Sequence, residues 1–131
     1  MDTLGIHHLG LAVSNLKATA KFFTDCLGWS IAREVPDYPA IFVTNGSAFV
    51  TLWQTASDHN ATPFDRRKNV GLHHFAIKVA SEQALDAVFE KAAAHPGVGV
   101  EFGPELLRGG PAKHCMLFEP SGVRVEFIWA P

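Results

Sequence analysis

The most regular pattern in the chain is an alternation of apolar with polar or small residues, and it occurs twice. The segment 6–13 (IHHLGLAV) matches the segment 72–79 (LHHFAIKV) position by position, 66 residues later, and each carries a histidine pair after its first residue. Alternation of this kind is typical of a strand with one buried face. The two segments are therefore predicted to be the first strands of two copies of one module.

A helical pattern follows each of these strands. Apolar residues recur every three to four positions from Leu16 to Leu27, Ser14 or Asn15 is placed to cap this helix, and Gly28 is placed to end it. The second copy has Ser81 as the cap, apolar residues at Leu85, Val88, Phe89 and Ala92, and an end before Pro96. Both copies are therefore predicted to continue from strand into helix.

Three short strand-like segments follow each predicted helix. They cover 30–34, 40–44 and 48–54 in the first copy and 99–102, 112–119 and 123–129 in the second. Asn45-Gly46 is a strong hairpin-turn signal, and Pro120-Ser121-Gly122 marks the last turn. Each copy thus has the order strand, helix and three strands. The predicted fold class is α+β, built from two tandem βαβββ modules.

The whole chain, 1–131, is predicted to be one domain. Module one spans 4–54, a polar linker spans 55–71, and module two spans 72–131. A long connection inside a compact chain is often functional or mobile. The basic run Arg66–Lys68 within it is interpreted as solvated surface, because charged residues are mostly exposed in folded proteins.

Side chains on a strand alternate between two faces, so each predicted strand can be divided in two. In both first strands the large apolar residues share one face, which is predicted to pack under the helix. His8 and His74 fall on the opposite, open face, among small or polar residues that leave room for a ligand. In the last strand, Glu126 falls on the open face as well.

The predicted open face thus gathers two imidazoles and a carboxylate, which suit a divalent transition-metal ion. Three protein ligands leave coordination positions for water and substrate. A carboxylate among apolar neighbours is also costly to bury unless it is paired or binds a metal. His8, His74 and Glu126 are therefore predicted to hold one divalent ion per site, with Fe, Mn, Zn and Ni all compatible. A structural, hydrogen-bonded histidine at a strand start is the alternative.

Other histidines and one loop receive structural interpretations. His7 and His73 fall on the helix-packed face and are assigned packing or a hydrogen bond that supports a metal ligand. The same alternation places His114 on the face away from the ligands, as a structural residue. The glycine-rich segment 106–111 fits either a flexible rim over the pocket or a plain connection between strands. No catalytic base is assigned.

The remaining positions of the open face predict a substrate pocket. Two cations on it, Lys78 and Arg124, suit a carboxylate or phosphate group of a substrate. Apolar side chains would supply its walls, although Phe49 and Trp53 fit ordinary core packing equally well. The predicted pocket residues are Phe49, Thr51, Trp53, Lys78, Arg124 and Ile128.

The composition of the chain bears on which kinds of partner it can bind and on its location. The chain has 11 basic and 13 acidic residues and a net charge of −2, so a nucleic-acid partner is not expected. No apolar run approaches the roughly 18 residues that span a bilayer, and the first residues lack a charged leader followed by an apolar stretch. A cytoplasmic location without membrane contact is expected. Two cysteines are too few for a disulfide framework.

These segments also carry a family resemblance. Over nearly its whole length the chain resembles the vicinal-oxygen-chelate superfamily, which includes glyoxalase I, bleomycin-resistance proteins and extradiol dioxygenases. The resemblance is carried by 8–13 (HLGLAV), the helix ending at Phe23…Leu27-Gly28-Trp29, 74–79 (HFAIKV) and 119–127 (EPSGVRVEF). It implies a cup-shaped mixed sheet with the helices on its outer face, and metal ligands at His8, His74 and Glu126. It also implies a homodimer, because in several such families two chains complete each site.

The resemblance also distinguishes among the reactions that members of the superfamily catalyse. Glyoxalase I has a glutamate, and the epimerases of the superfamily a glutamine, at the position of Thr51, so glyoxalase I chemistry is disfavoured. A three-ligand site resembles extradiol dioxygenases and fosfomycin-resistance thiol transferases, but Gly10 replaces a threonine of the transferases. Extradiol enzymes have a further histidine and tyrosine near the metal, whereas the sole tyrosine here, Tyr38, lies in a proline-rich loop.

The sequence is compatible with two functions. The first is a metal-dependent enzyme that acts on a small oxygenated substrate chelated to a divalent ion, of the lyase/isomerase or the dioxygenase type. The second is a metal-free small-molecule binding protein of the bleomycin-resistance type. The presence of all three ligand positions favours the enzyme.

Overall fold

The computed structural model describes residues 1–57 and 59–131. The chain divides into two compact units, Met1–Ala61 and Thr62–Pro131, and each contains one βαβββ module. In both units the first strand lies at a sheet edge beside the last strand. The α+β class with two tandem βαβββ modules is thereby confirmed. No helix in the described part of the chain is long and apolar enough to cross a membrane.

The first unit is a four-stranded mixed sheet with one helix. Its elements are β1 (Leu9–Val13), α1 (Leu16–Lys21), a π-helical turn (Phe22–Cys26), β2 (Ser30–Val35), β3 (Ala40–Thr44) and β4 (Phe49–Gln54). The strand order is β1-β4-β3-β2, with β1 parallel to β4 and the other pairs antiparallel. Helix α1 packs against β3 and β4.

The local sequence explains how α1 begins and ends. Asn15 caps it, since its side-chain oxygen accepts a hydrogen bond from the Ala18 amide at 3.2 Å. The helix then widens into the π-helical turn, where Phe22 and Phe23 are both fully buried. On an α-helix, the side chains of neighbouring residues point about 100° apart. The wider π-helical turn allows the rings of both Phe22 and Phe23 to pack in the core. Gly28, at φ +73°, ends the helix as predicted.

The second unit repeats this arrangement. Its elements are β5 (Phe75–Lys78), α2 (Glu82–Ala93), β6 (Gly99–Leu106), β7 (Lys113–Phe118) and β8 (Arg124–Trp129). The strand order is β5-β8-β7-β6, with β5 parallel to β8 and the other pairs antiparallel. Helix α2 packs against β6, β7 and β8, and Ser81 caps it by accepting a hydrogen bond from the Ala84 amide at 3.0 Å.

Some boundaries differ from the prediction. Strands β1 and β5 begin at Leu9 and Phe75, so each histidine pair lies just before its strand rather than within it. Strand β6 is longer than predicted, and two register shifts against β7 interrupt its alternation. The segment 107–112 connects β6 to β7 and is closed by a hydrogen bond from the Leu107 amide to the Ala112 carbonyl at 2.8 Å.

Candidate metal-binding site

Each unit presents a histidine pair immediately before its first strand. In the first unit Nδ1 of His7 lies 2.9 Å from Nδ1 of His8, and in the second Nδ1 of His73 lies 2.7 Å from Nδ1 of His74. His7 and His73 therefore each contact the histidine that follows them in the chain. Each contact uses Nδ1 of the predicted ligand, so its Nε2 is the nitrogen that remains for a metal.

Glu126 is a buried carboxylate in β8, paired with Ala76 of β5 and Met116 of β7. The residue is 8% exposed, and its Oε2 accepts a hydrogen bond from Nδ1 of His114 at 2.8 Å. In residues 1–57 and 59–131, no group donates a hydrogen bond to Oε1. Because a buried carboxylate is costly unless its charge is compensated, Oε1 is the oxygen that suits a further partner.

The prediction that His114 faces away from the ligands is wrong. Strands β7 and β8 pair so that even-numbered residues lie opposite even-numbered ones, and His114 lies opposite Ile128. Residues that lie opposite each other in an antiparallel pair share a face, so His114 projects on the same side as Glu126. The odd-numbered residues of β7 project toward α2, where Lys113 forms an ion pair with Glu82.

Arg124 is buried beside Glu126 in β8 and already has a carboxylate partner. Its Nε and Nη2 donate to the two oxygens of Glu101 at 3.0 and 2.7 Å, and its Nη1 lies 3.4 Å from Nδ1 of His73. Arg66 approaches the same carboxylate at 3.7 Å. The hydrogen bonds from Arg124, with the positive charge of both arginines, hold the pKa of Glu101 below its usual range, although desolvation opposes this.

His73, the first member of the second histidine pair, lies between Arg124 and His74. Partial desolvation lowers the pKa of His73, and the charges of His74, Arg124 and Arg66 lower it further, against an opposing effect of Glu101. These effects favour the neutral form of the His73 imidazole, in which one ring nitrogen presents a lone pair. Neither Glu101 nor this contact was singled out from the sequence, because 23 residues separate Glu101 from Arg124.

In the first unit, Thr51 and Trp53 of β4 form a polar contact. Nε1 of Trp53 donates to Oγ1 of Thr51 at 2.8 Å, and Thr51 is 3% exposed. Gly10 of β1 lies opposite Thr51, and a Cβ at Gly10 would lie 3.2 Å from that oxygen. The threonine hydroxyl is thus enclosed and already hydrogen-bonded.

Aromatic side chains surround Trp53. The ring centroids of Tyr38 and Phe42 lie 4.7 and 5.5 Å from that of Trp53, and Phe49 lies 6.1 Å from Phe42. His8 meets Phe49 at 6.5 Å, so a predicted ligand borders this aromatic cluster. Tyr38 lies in a loop, as predicted, yet its ring belongs to the cluster.

A cleft of about 690 Å³ opens in the first unit at the ends of β1 and β4. Ser14, Gln54 and Ser57 are among the residues that line it, and none of the predicted site residues does. The cleft therefore does not mark the predicted site.

The structure places the predicted site residues in two groups. In the second unit Lys78 pairs with Ile128, as Ala76 pairs with Glu126, so these side chains share the open face. Within neither unit do three described His, Cys, Asp or Glu side chains gather as a metal-binding group. The donor chemistry of each unit still suits a divalent ion, because Nε2 of His8 remains in the first unit, and Nε2 of His74 and Oε1 of Glu126 remain in the second. The first unit holds His8, Phe49, Thr51 and Trp53, and the second holds His74, Lys78, Arg124, Glu126 and Ile128.

Comparison with known proteins identifies the family. The model of the Glyoxalase/Bleomycin resistance protein/Dioxygenase superfamily matches residues 5–127. The chain belongs to this superfamily. Among solved structures, this superfamily member is similar to a glyoxylase/bleomycin resistance protein/dioxygenase domain from Frankia sp. EAN1pec, with a TM-score of 0.81 and 21% identity over 99% of this chain and 94% of that one.

Further relatives of this superfamily member carry the names of enzymes. Lactoylglutathione lyase from Agrobacterium tumefaciens shares the fold, with a TM-score of 0.74 and 20% identity over 99% of this chain and 96% of that one. The 2-epi-5-epi-valiolone epimerase of Actinomyces sp. is 27% identical in an alignment that covers 98% of this chain and 80% of the epimerase. Catechol-2,3-dioxygenase of Bacillus subtilis (strain 168) is 30% identical over 104 residues, which cover 76% of this chain and 34% of that protein.

Proposed function

We propose that this superfamily member is a metal-dependent enzyme acting on a small oxygenated substrate that chelates a divalent ion through two oxygens. His8, His74 and Glu126 would be the protein ligands. The observation that carries the proposal is the repeated histidine pair, in which each proposed ligand is engaged at Nδ1 and keeps Nε2 for a metal. The relatives named epimerase, dioxygenase and lyase support an enzymatic function.

The surroundings of Glu126 suit a metal-binding carboxylate. His114 donates to Oε2, which orients the carboxylate and leaves Oε1 for the ion. When bound, a divalent ion would supply Lewis-acid stabilisation of the negative charge that develops on the substrate oxygens. His114 therefore has a positioning role toward Glu126 in this proposal.

The other open-face residues are assigned to substrate binding. Phe49 and Trp53 would exclude water from the bound substrate. Lys78 is exposed in β5, next to Ile128, and is the cation left for a carboxylate or phosphate group. Arg124 is engaged by Glu101, so its role lies within the protein.

Thr51 limits the reactions that the proposed metal site could catalyse. Its hydroxyl is enclosed and bonded to Trp53, so this position offers no fourth ligand, and three protein ligands leave room for a chelating substrate. The proposal therefore covers a lyase/isomerase or dioxygenase type of reaction, with glyoxalase I chemistry disfavoured. The metal would be Fe, Mn, Zn or Ni.

A second copy of the chain is the proposed protein partner, as the superfamily resemblance implies. Sedimentation or light scattering is expected to give twice the chain mass of 14.2 kDa. A monomer at working concentrations would contradict this part of the proposal and leave the ligand assignment to its own test.

The ligand assignment is tested by the metal content of protein purified without chelator. Elemental analysis is expected to find about one ion per chain in the wild type and none in His74→Ala or Glu126→Ala. His95→Ala removes a histidine beyond the end of α2 and is the matched control that should retain the ion. Failure to bind added iron, manganese, zinc or nickel would contradict the proposal.

A metal-free small-molecule binding protein is the second candidate, favoured by the aromatic cluster. The rings of Tyr38 and Phe42 lie close around Trp53, which suits a flat apolar ligand. Planar aromatic compounds would then quench the fluorescence of Trp53 even with chelator present, and Trp53→Phe is the control. Binding that requires the metal supports the enzyme instead.

A further inference from the structure

A series of contacts leads from Glu101 to the proposed ligand His74. Glu101 accepts hydrogen bonds from Nε and Nη2 of Arg124 at 3.0 and 2.7 Å. Nη1 of Arg124 lies 3.4 Å from Nδ1 of His73, and that nitrogen lies 2.7 Å from Nδ1 of His74. All four residues belong to the second unit, and Arg124 is 7% exposed. Its guanidinium is therefore held by protein contacts rather than by water.

The direction of these hydrogen bonds follows from the arginine. A guanidinium only donates hydrogen bonds, so Nδ1 of His73 must present its lone pair to Nη1 of Arg124. A nitrogen that presents its lone pair cannot donate, so the proton between the two imidazoles must lie on Nδ1 of His74. His74 then carries its own lone pair on Nε2, the form in which a neutral imidazole binds a metal.

We propose that Arg124, oriented by Glu101, is a positioning residue that sets the tautomer of His74 through His73. The inference rests on the proposed function, in which His74 binds the ion through Nε2. A ligand whose proton already lies on the other nitrogen needs no rearrangement when the ion arrives. Arg124 would thus prepare the site without touching the substrate.

The first module supplies a comparison within the same chain. The strand registers place Phe49 of β4 at the position that Arg124 occupies in β8. In the described part of the chain, His8 is the only hydrogen-bond partner of Nδ1 of His7. The same contact between imidazoles therefore exists there without a guanidinium to direct it. His8 is expected to populate both neutral tautomers, whereas His74 is expected to hold one.

The test is a long-range ¹H–¹⁵N NMR spectrum of metal-free protein containing ¹⁵N-labelled histidine, recorded at a pH where the imidazoles are neutral. Protonated and unprotonated ring nitrogens resonate in separate regions, so the spectrum reports each tautomer. His8→Gln and His74→Gln assign the signals. The expected result is a proton on Nδ1 alone for His74 and a mixture for His8.

Arg124→Met and Arg66→Met form a matched pair of variants. Each removes a guanidinium from Glu101, but only Arg124 also contacts His73. Arg124→Met is expected to give a tautomer mixture at His74 and to weaken metal binding about 10-fold or more. Arg66→Met is expected to keep the wild-type spectrum, and Arg124→Lys, which retains a donor, to restore much of it.

A mixture at His74 in the wild type, or a single tautomer that persists in Arg124→Met, would overturn the inference. If circular dichroism shows that Arg124→Met does not fold, the wild-type spectrum and Arg124→Lys decide the question. Because the spectrum is taken without metal, the two proposals fail separately. Metal binding through His74 with mixed tautomers rejects this inference, and a directed tautomer in a protein that binds no metal rejects the proposed function.

Discussion

Glu101 is the residue on which the charged contacts of the second unit converge. It accepts two hydrogen bonds from Arg124 and lies 3.7 Å from Arg66, and its side chain is 26% exposed. The pKa of Glu101 is lowered chiefly by the hydrogen bonds from Arg124. Its contribution to stability therefore depends on the carboxylate remaining ionised.

Replacing Glu101 with glutamine gives the first prediction. Because the folded-state pKa lies below the unfolded value, the contribution is present above the unfolded pKa and is lost as the pH falls through the folded one. Glu101→Gln should lower the free energy of unfolding by about 1 kcal/mol at neutral pH. The difference from wild type should vanish at acidic pH, once the pH has fallen through the lowered folded-state pKa and Glu101 is protonated. Urea unfolding at both pH values measures it.

Glu105→Gln is the matched control for this prediction, because Glu105 is an exposed glutamate of the same strand. It should change the unfolding free energy little at either pH. A deficit in Glu101→Gln that is the same at both pH values would show that the lost stability comes from packing rather than from the ionised carboxylate.

At the scale of elements, the features that depend on neighbouring residues were predictable from the sequence. The caps at Asn15 and Ser81, the end of α1 at Gly28 and the βαβββ order all follow from local patterns. The side on which His114 lies does not, because it depends on the pairing register of β7 with β8. The π-helical turn also escaped prediction, since it reflects how Phe22 and Phe23 pack in the folded core.

The pairing of β1 with β4 gives the second prediction. A Cβ at Gly10 would lie 3.2 Å from Oγ1 of Thr51, which is buried and held by Trp53, so it cannot move aside freely. Gly99→Ala is the control, because the nearest atom to its new Cβ is 3.9 Å away, on Phe118. Gly10→Ala should be less stable than Gly99→Ala by about 1 kcal/mol in urea unfolding. Equal stability of the two variants would mean that Thr51 has room to shift.

At the scale of the whole molecule, the duplication made the candidate site partly predictable. His8 and His74 stood out because they repeat, and Glu126 because it is a carboxylate on an apolar strand. The partners of these residues did not stand out. Contacts such as the one from His114 to Glu126 join residues 12 positions apart, and they exist only once the strands have paired.

Metal linkage gives the third prediction. A ligand that binds only the folded protein raises its unfolding free energy, by about 2.7 kcal/mol at a free concentration 100 times the dissociation constant. Wild-type protein with saturating metal should show an increase of this size, and chelator should reverse it. Glu126→Gln should show no increase, as measured by urea unfolding. An equal increase in this variant would place the bound ion elsewhere in the molecule.

The turn between β7 and β8 reverses the chain and also sets which residues of β7 lie beside Glu126. The Glu119 carboxylate accepts hydrogen bonds from the amides of Ser121 and Val123, both at 3.0 Å, and so fixes the course of 119–123. Side chains alternate along a strand, so the number of turn residues decides which ones in β7 lie beside Glu126. Inserting or deleting one residue there would exchange His114 for a neighbour from the opposite face. Related sequences can therefore vary the composition of this turn far more freely than its length.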